Sequence, residues 1–118
     1  MTPDEMKRRT KAFALRILRL PAALPRDAAA QVVCKQLVRC ATSVGANFRA
    51  ACRAQSRATF AAKLAIVEEE ADETLYWLEL LSESGRVKAI RLQDLIREAD
   101  EIVAIITASR KTAQHVRP

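Results

Sequence analysis

Apolar residues recur along most of this chain at alternating steps of three and four, the spacing that puts a stripe on one side of an α-helix. The first segment carries Met6, Phe13, Ile17 and Leu18 on its inward side, and the second Val33, Leu37, Cys40, Val44, Phe48 and Ala51. The third gives Phe60, Leu64, Val67, Ala71, Leu78 and Leu81, with Thr74 as its one polar position. The fourth gives Leu92, Leu95, Ile96, Ala99, Ile102, Val103 and Ile106. A chain patterned in this way is not a sheet of many hairpins, because two glycines and four prolines in 118 residues leave too little turn material.

Local signals divide the stripe into four helices, approximately 3–20, 27–54, 57–84 and 88–110, followed by a polar tail, 111–118. Thr2 caps the first, with Pro3, Asp4 and Glu5 in its opening turn. The connector "LPAALPRD" holds two prolines and is the clearest linker. Asp27 opens the second helix, Ser56 caps the third, and Ser84 and Gly85 end it. Short connections between long helices favour an all-α, antiparallel up-down-up-down four-helix bundle in a single domain.

Charge is distributed in blocks. Residues 1–25 carry a net +4 and residues 26–63 a net +6, whereas residues 64–85 carry seven acids and no base. Blocks of opposite sign can join neighbouring helices or neighbouring subunits, and basic surface left over attracts RNA or DNA phosphates. The candidate nucleic-acid contacts are Lys7, Arg8, Arg9, Lys11, Arg16 and Arg19, with Arg49, Arg53 and Arg57 around the second connection. The last three recur every four residues and share a face for as long as the helix continues. Within the acidic run, Glu73 is expected to pair with Arg39.

Other chemistry finds less support. Glu69 and Glu73 share a helix face, but the only histidine, His115, is far off in sequence, so no metal site or cofactor is expected. Cys34, Cys40 and Cys52 have no C-x-x-C spacing and read as small hydrophobes. Tyr76 and Trp77 read as packing residues rather than base-stacking platforms. Arg110 and His115 have the R-x4-H spacing of HEPN-class ribonucleases, in which histidine handles the proton and arginine the phosphate charge. With no signal-peptide pattern and no apolar run near 18 residues, the chain is expected in the cytoplasm, away from membranes.

Gly45 interrupts a helix at a cost of about 1 kcal/mol relative to alanine, and close approach of another backbone would offset it. Asn47 reads as a residue that fixes the register of a helix contact. These two fall in the stretch "RCATSVGANFRAACRAQSRATFAAKLAIVEEEADETLYWLELL". It resembles the signature of the four-helix-bundle proteins encoded in 23S ribosomal RNA intervening sequences. The resemblance is carried by Arg39, Ser43, Gly45, Ala46, Asn47, Ser56, Phe60, Lys63, Leu64, Glu69, Ala71, Glu73, Thr74, Trp77, Leu78 and Leu81. That family is similar to the accessory variability proteins of diversity-generating retroelements. Many members place a glutamate three residues after the asparagine, where this chain has Ala50.

The resemblance implies a non-enzymatic bundle that assembles into a homo-oligomer, typically a pentamer, with Arg39, Ser43, Gly45, Asn47, Glu69, Glu73 and Trp77 at packing or interface positions. From the accessory relatives it implies a nucleic-acid-binding surface and a reverse transcriptase as partner. Two alternatives remain open: a structural or protein-interaction homo-oligomer without nucleic-acid affinity, and a ribonuclease.

Overall fold

The structure is a computed structural model that describes residues 1–115. Among these residues there are four α-helices and no strand: α1 (Pro3–Arg19), α2 (Ala28–Cys52), α3 (Arg57–Glu83) and α4 (Ala89–His115). A 3-10 turn, Leu20–Ala23, leaves α1 where Pro21 and Pro25 prevent its continuation. The molecule is elongated, 52 × 21 × 19 Å.

Thr2 and Ser56 make the N-caps expected of them, and Asp27, where the second helix is expected to open, caps it as well. Thr2 Oγ1 accepts from the Glu5 amide at 3.1 Å, Asp27 Oδ1 from Ala30 at 2.8 Å, and Ser56 Oγ from Thr59 at 3.1 Å. The Ala30 amide is also the main reason that the Asp27 carboxyl titrates below its ordinary value. Helix α3 ends on Gly85, whose positive φ of 76° lets the chain reverse, and Val87 then tucks under with its amide on the Leu81 carbonyl.

The stripes form one continuous core. Phe13, Ile17, Leu37, Val44, Leu64, Val67, Leu78, Leu92, Ile102 and Ile106 are buried within it. Burying one such side chain is worth about 1.5–3 kcal/mol, so the stripe outweighs the mixed helix propensity of its β-branched members. Helix α3 packs against both α2 and α4; α1 lies on α2 and touches α4 through fewer residues.

The end of α4 and one inward assignment differ from the sequence reading. Helix α4 continues to His115 rather than giving way to a tail at 111, because Arg110 is tied to Glu68 on α3 and to Gln114 one turn on. The rest of that tail, residues 116–118, lies outside the described residues. Leu18 was assigned inward but is 52% exposed, since Ile17 already fills the core position one residue earlier.

Gly45 on α2 faces Thr10 and Lys11 of α1. A Cβ built on it would lie 3.4 Å from Thr10 Oγ1 and 3.5 Å from the Thr10 carbonyl carbon. Thr10 is buried there with its hydroxyl donated back to the Met6 carbonyl at 2.9 Å, so the contact holds no unpaired polar atom. Asn47 turns its amide onto Ser43 of its own helix, donating to the carbonyl at 2.9 Å and the hydroxyl at 2.7 Å.

Candidate nucleic-acid interface

The candidate cations divide into those held within the chain and those left at its surface. Arg9 grips α4 through a two-pronged contact with Glu98 (2.7 and 2.6 Å) and a third bond to Glu101 (2.9 Å). The Glu98 hydrogen bond raises its pKa, and its charge is spent on joining α1 to α4. Lys7 lies 3.7 Å from Asp4, one turn away. Arg39 pairs with Glu73, as the sequence suggested, and also with Glu70 at 3.2 Å. Glu73 in turn accepts from the Trp77 indole at 2.9 Å, which with Arg39 holds its pKa below the ordinary value. Trp77 is thereby fixed on the α2–α3 seam with Tyr76 edge-on to it at 5.3 Å. Glu69 is exposed.

Arg49, Arg53 and Arg57 do not form one stripe. Helix α2 ends at Cys52, Arg53 is its cap residue, and the chain is extended at Ser56 before α3 begins with Arg57. The turn instead gathers the three around the α2–α3 connection. Two further contacts show what else meets there. Pro3 of α1 shares an open hollow of about 550 Å³ with Phe48, Cys52, Gln55 and Phe60. On the other side of Phe60, a second hollow of about 410 Å³ is lined by Ala108, Ser109, Thr112 and Ala113 of α4.

One end of the molecule therefore collects the start of α1, the end of α2, the start of α3 and the end of α4. It carries exposed Arg8, Arg49, Arg53, Arg57 and Lys111, with half-buried Lys63 nearby. Among the described residues Arg8, Arg49, Arg53, Lys63 and Lys111 make no ion pair within the chain. Sequence reading missed Lys63 and Lys111; the first lay in a segment read for its apolar stripe, and the second was assigned to the tail. Lys11, Arg16 and Arg19 lie further along exposed α1.

Arg110 and His115, the ribonuclease candidates, are not brought together as a pair. Arg110 is occupied by Glu68 at 3.0 and 3.2 Å, and His115 lies five positions on, off the facing i+3 and i+4 positions. Hydrogen bonds from Thr107 and Arg110 hold the Glu68 carboxyl below its ordinary pKa. No group of three or more metal-ligating side chains occurs among the described residues. The three cysteines are free, with thiol pKa values pushed up by burial. No described helix is long and apolar enough to cross a membrane. A further hollow, about 920 Å³, lies at the other end under the proline connector; neither an aromatic ring nor an acid lines it, and its size alone assigns it no chemistry.

No curated protein matches the chain. A crystal structure described as a protein with unknown function from the S23 ribosomal protein family of Bacteroides thetaiotaomicron VPI-5482 is similar to it. The two are 37% identical, with a TM-score of 0.85 over 94% of this chain and 99% of that one. The family described as 23S rRNA-intervening sequence protein matches residues 4–108. With its signature stretch and both long central helices inside the match, the chain belongs to the 23S rRNA-intervening sequence protein family.

Proposed function

We propose that this protein is a non-enzymatic, self-assembling antiparallel up-down-up-down bundle that binds RNA or DNA through its basic end, as an accessory to a nucleic-acid enzyme such as a reverse transcriptase. Support for the helix order comes from paired contacts. Helices α3 and α4 meet at their turn through Leu81 and Val87 and again at Glu68 and Arg110, and Pro3 of α1 lies beside the end of α2.

The single observation that carries the nucleic-acid reading is the gathering of cations from all four helices at one end, of which Arg8, Arg49, Arg53 and Lys63 make no ion pair among the described residues. A polyanion is the complementary ligand for such a cluster, and binding gains from the counterions it releases. Changing Arg49, Arg53 and Lys111 together to Glu should abolish binding of a mixed oligonucleotide at low salt while leaving the helical content intact. Unchanged affinity in that variant would remove the basic end from the account.

A specific observation also favours self-assembly. The outer face of α1 presents Leu15 and Leu18 among Arg8, Lys11 and Arg19. The outer face of α3 presents Ile66, Tyr76 and Leu80 among Glu69, Asp72, Glu79 and Glu83. An apolar stripe edged with base on one copy complements an apolar stripe edged with acid on another, a head-to-tail contact that makes a ring when the rotation closes. Five copies is the number the family resemblance gives. A structural oligomer without nucleic-acid affinity would keep this contact and show no binding even at low salt.

A further inference from the structure

Among the described residues, Phe60 is the only aromatic side chain at the basic end that is not buried. Of the other four aromatic residues, Phe13 and Phe48 are buried, while Tyr76 and Trp77 lie in the second half of α3, away from this end. Phe60 is half-buried on the first turn of α3, and hollows open on both sides of it, toward α1 and α2 on one and toward α4 on the other. Neither hollow has an acidic residue in its lining. Hydrogen-bonding groups do line them: the Gln55 amide in the first, the Ser109 and Thr112 hydroxyls in the second. Arg53 caps the end of α2 and Lys111 stands on the last turns of α4; both are exposed, Arg53 makes no ion pair among the described residues, and Lys111 makes no direct ion pair although its charge is felt by Glu68.

Phosphate attraction alone does not need an aromatic ring or concave surface; a duplex would be held by the cations alone. A strand whose bases are unstacked needs both, because each base must replace its lost neighbour with another flat apolar surface. We propose that the Phe60 hollows take an unpaired nucleobase of a single strand, with Arg53 and Lys111 on the flanking phosphates. This rests on the nucleic-acid reading above and adds to it the class of strand. Amide and hydroxyl groups can serve every base, so the site prefers single strands over duplexes with little preference among sequences.

The test compares a short oligothymidylate, an abasic strand of the same length, and a duplex with the same number of phosphates, by fluorescence anisotropy at low salt. The oligothymidylate should bind about ten-fold more tightly than the abasic strand, the increment expected of one stacked base. Phe60→Leu keeps an apolar side chain of similar bulk and should lose that increment while its affinity for the abasic strand stays the same. Phe60→Tyr keeps a ring and should retain it; unfolding curves for both variants check that the bundle is intact. Equal binding of the base-bearing and abasic strands, or an unaffected Phe60→Leu, overturns the base site and leaves phosphate binding standing. Failure of all three probes to bind the parent protein overturns both readings together.

Discussion

Gly45 and Thr10 mark a close contact between α1 and α2 that bears on residue choice at position 45. An alanine Cβ at position 45 would meet Thr10 at ordinary van der Waals distance, whereas a branched, longer side chain would have to be accommodated against α1. Gly45→Ala should therefore stabilise by up to about 1 kcal/mol, the gain in helix propensity. Gly45→Leu should cost about 1–3 kcal/mol by forcing α1 away from α2, read in both cases from urea unfolding. Glu73 makes a different kind of prediction. Its folded pKa lies below the ordinary value because of the Trp77 indole and Arg39. The resulting stability is present above the unfolded-state pKa of about 4.3 and is lost as the pH falls through the folded value. Thermal midpoints measured down an acid series should therefore drop less steeply in Glu73→Gln than in the parent; equal slopes would show that the carboxylate contributes nothing in the folded chain. Glu68 and Asp27, shifted in the same direction, account for part of the remaining slope.

At the scale of the helix, Ser56 does two things: it caps α3 and fixes where the α2–α3 connection turns. Ser56→Ala should cost about 1 kcal/mol in chemical denaturation and fray the first turn of α3, the one that carries Phe60. Amide exchange at residues 57–60 would report the fraying, and unchanged protection there would mean that packing alone defines that end. Caps of this kind were legible in the sequence because they are local: Thr2, Asp27, Ser56 and Gly85 each act within a few residues. The extension of α4 was not, because it depends on Arg110 meeting Glu68, 42 positions away. Arg9 was misassigned to the surface set for the same reason, its carboxylates being 89 and 92 positions off. Charge counted along the chain cannot distinguish a cation that joins two helices from one that faces water. The apolar stripes escape this difficulty, since three-and-four spacing marks the inward side without reference to a partner.

The whole molecule is a rod 52 Å long with unlike ends and unlike sides. At one end the four helices bring together several cations and a ring flanked by hollows; on its sides, α1 is edged with base and α3 with acid. Such a shape can repeat itself side by side while leaving its ends to a ligand, so that assembly multiplies weak phosphate contacts. Fold and stripes were open to a reader of the sequence, whereas the end as a site was not, because it is contributed by residues from all four helices. The most direct measurement is the affinity for a short single strand across a salt series. Four phosphate contacts per chain predict a loss of about fifty-fold between about 50 and 200 mM salt, at a slope of about 0.7 per contact. No binding at the lowest salt, or an affinity that salt leaves unchanged, would contradict the account.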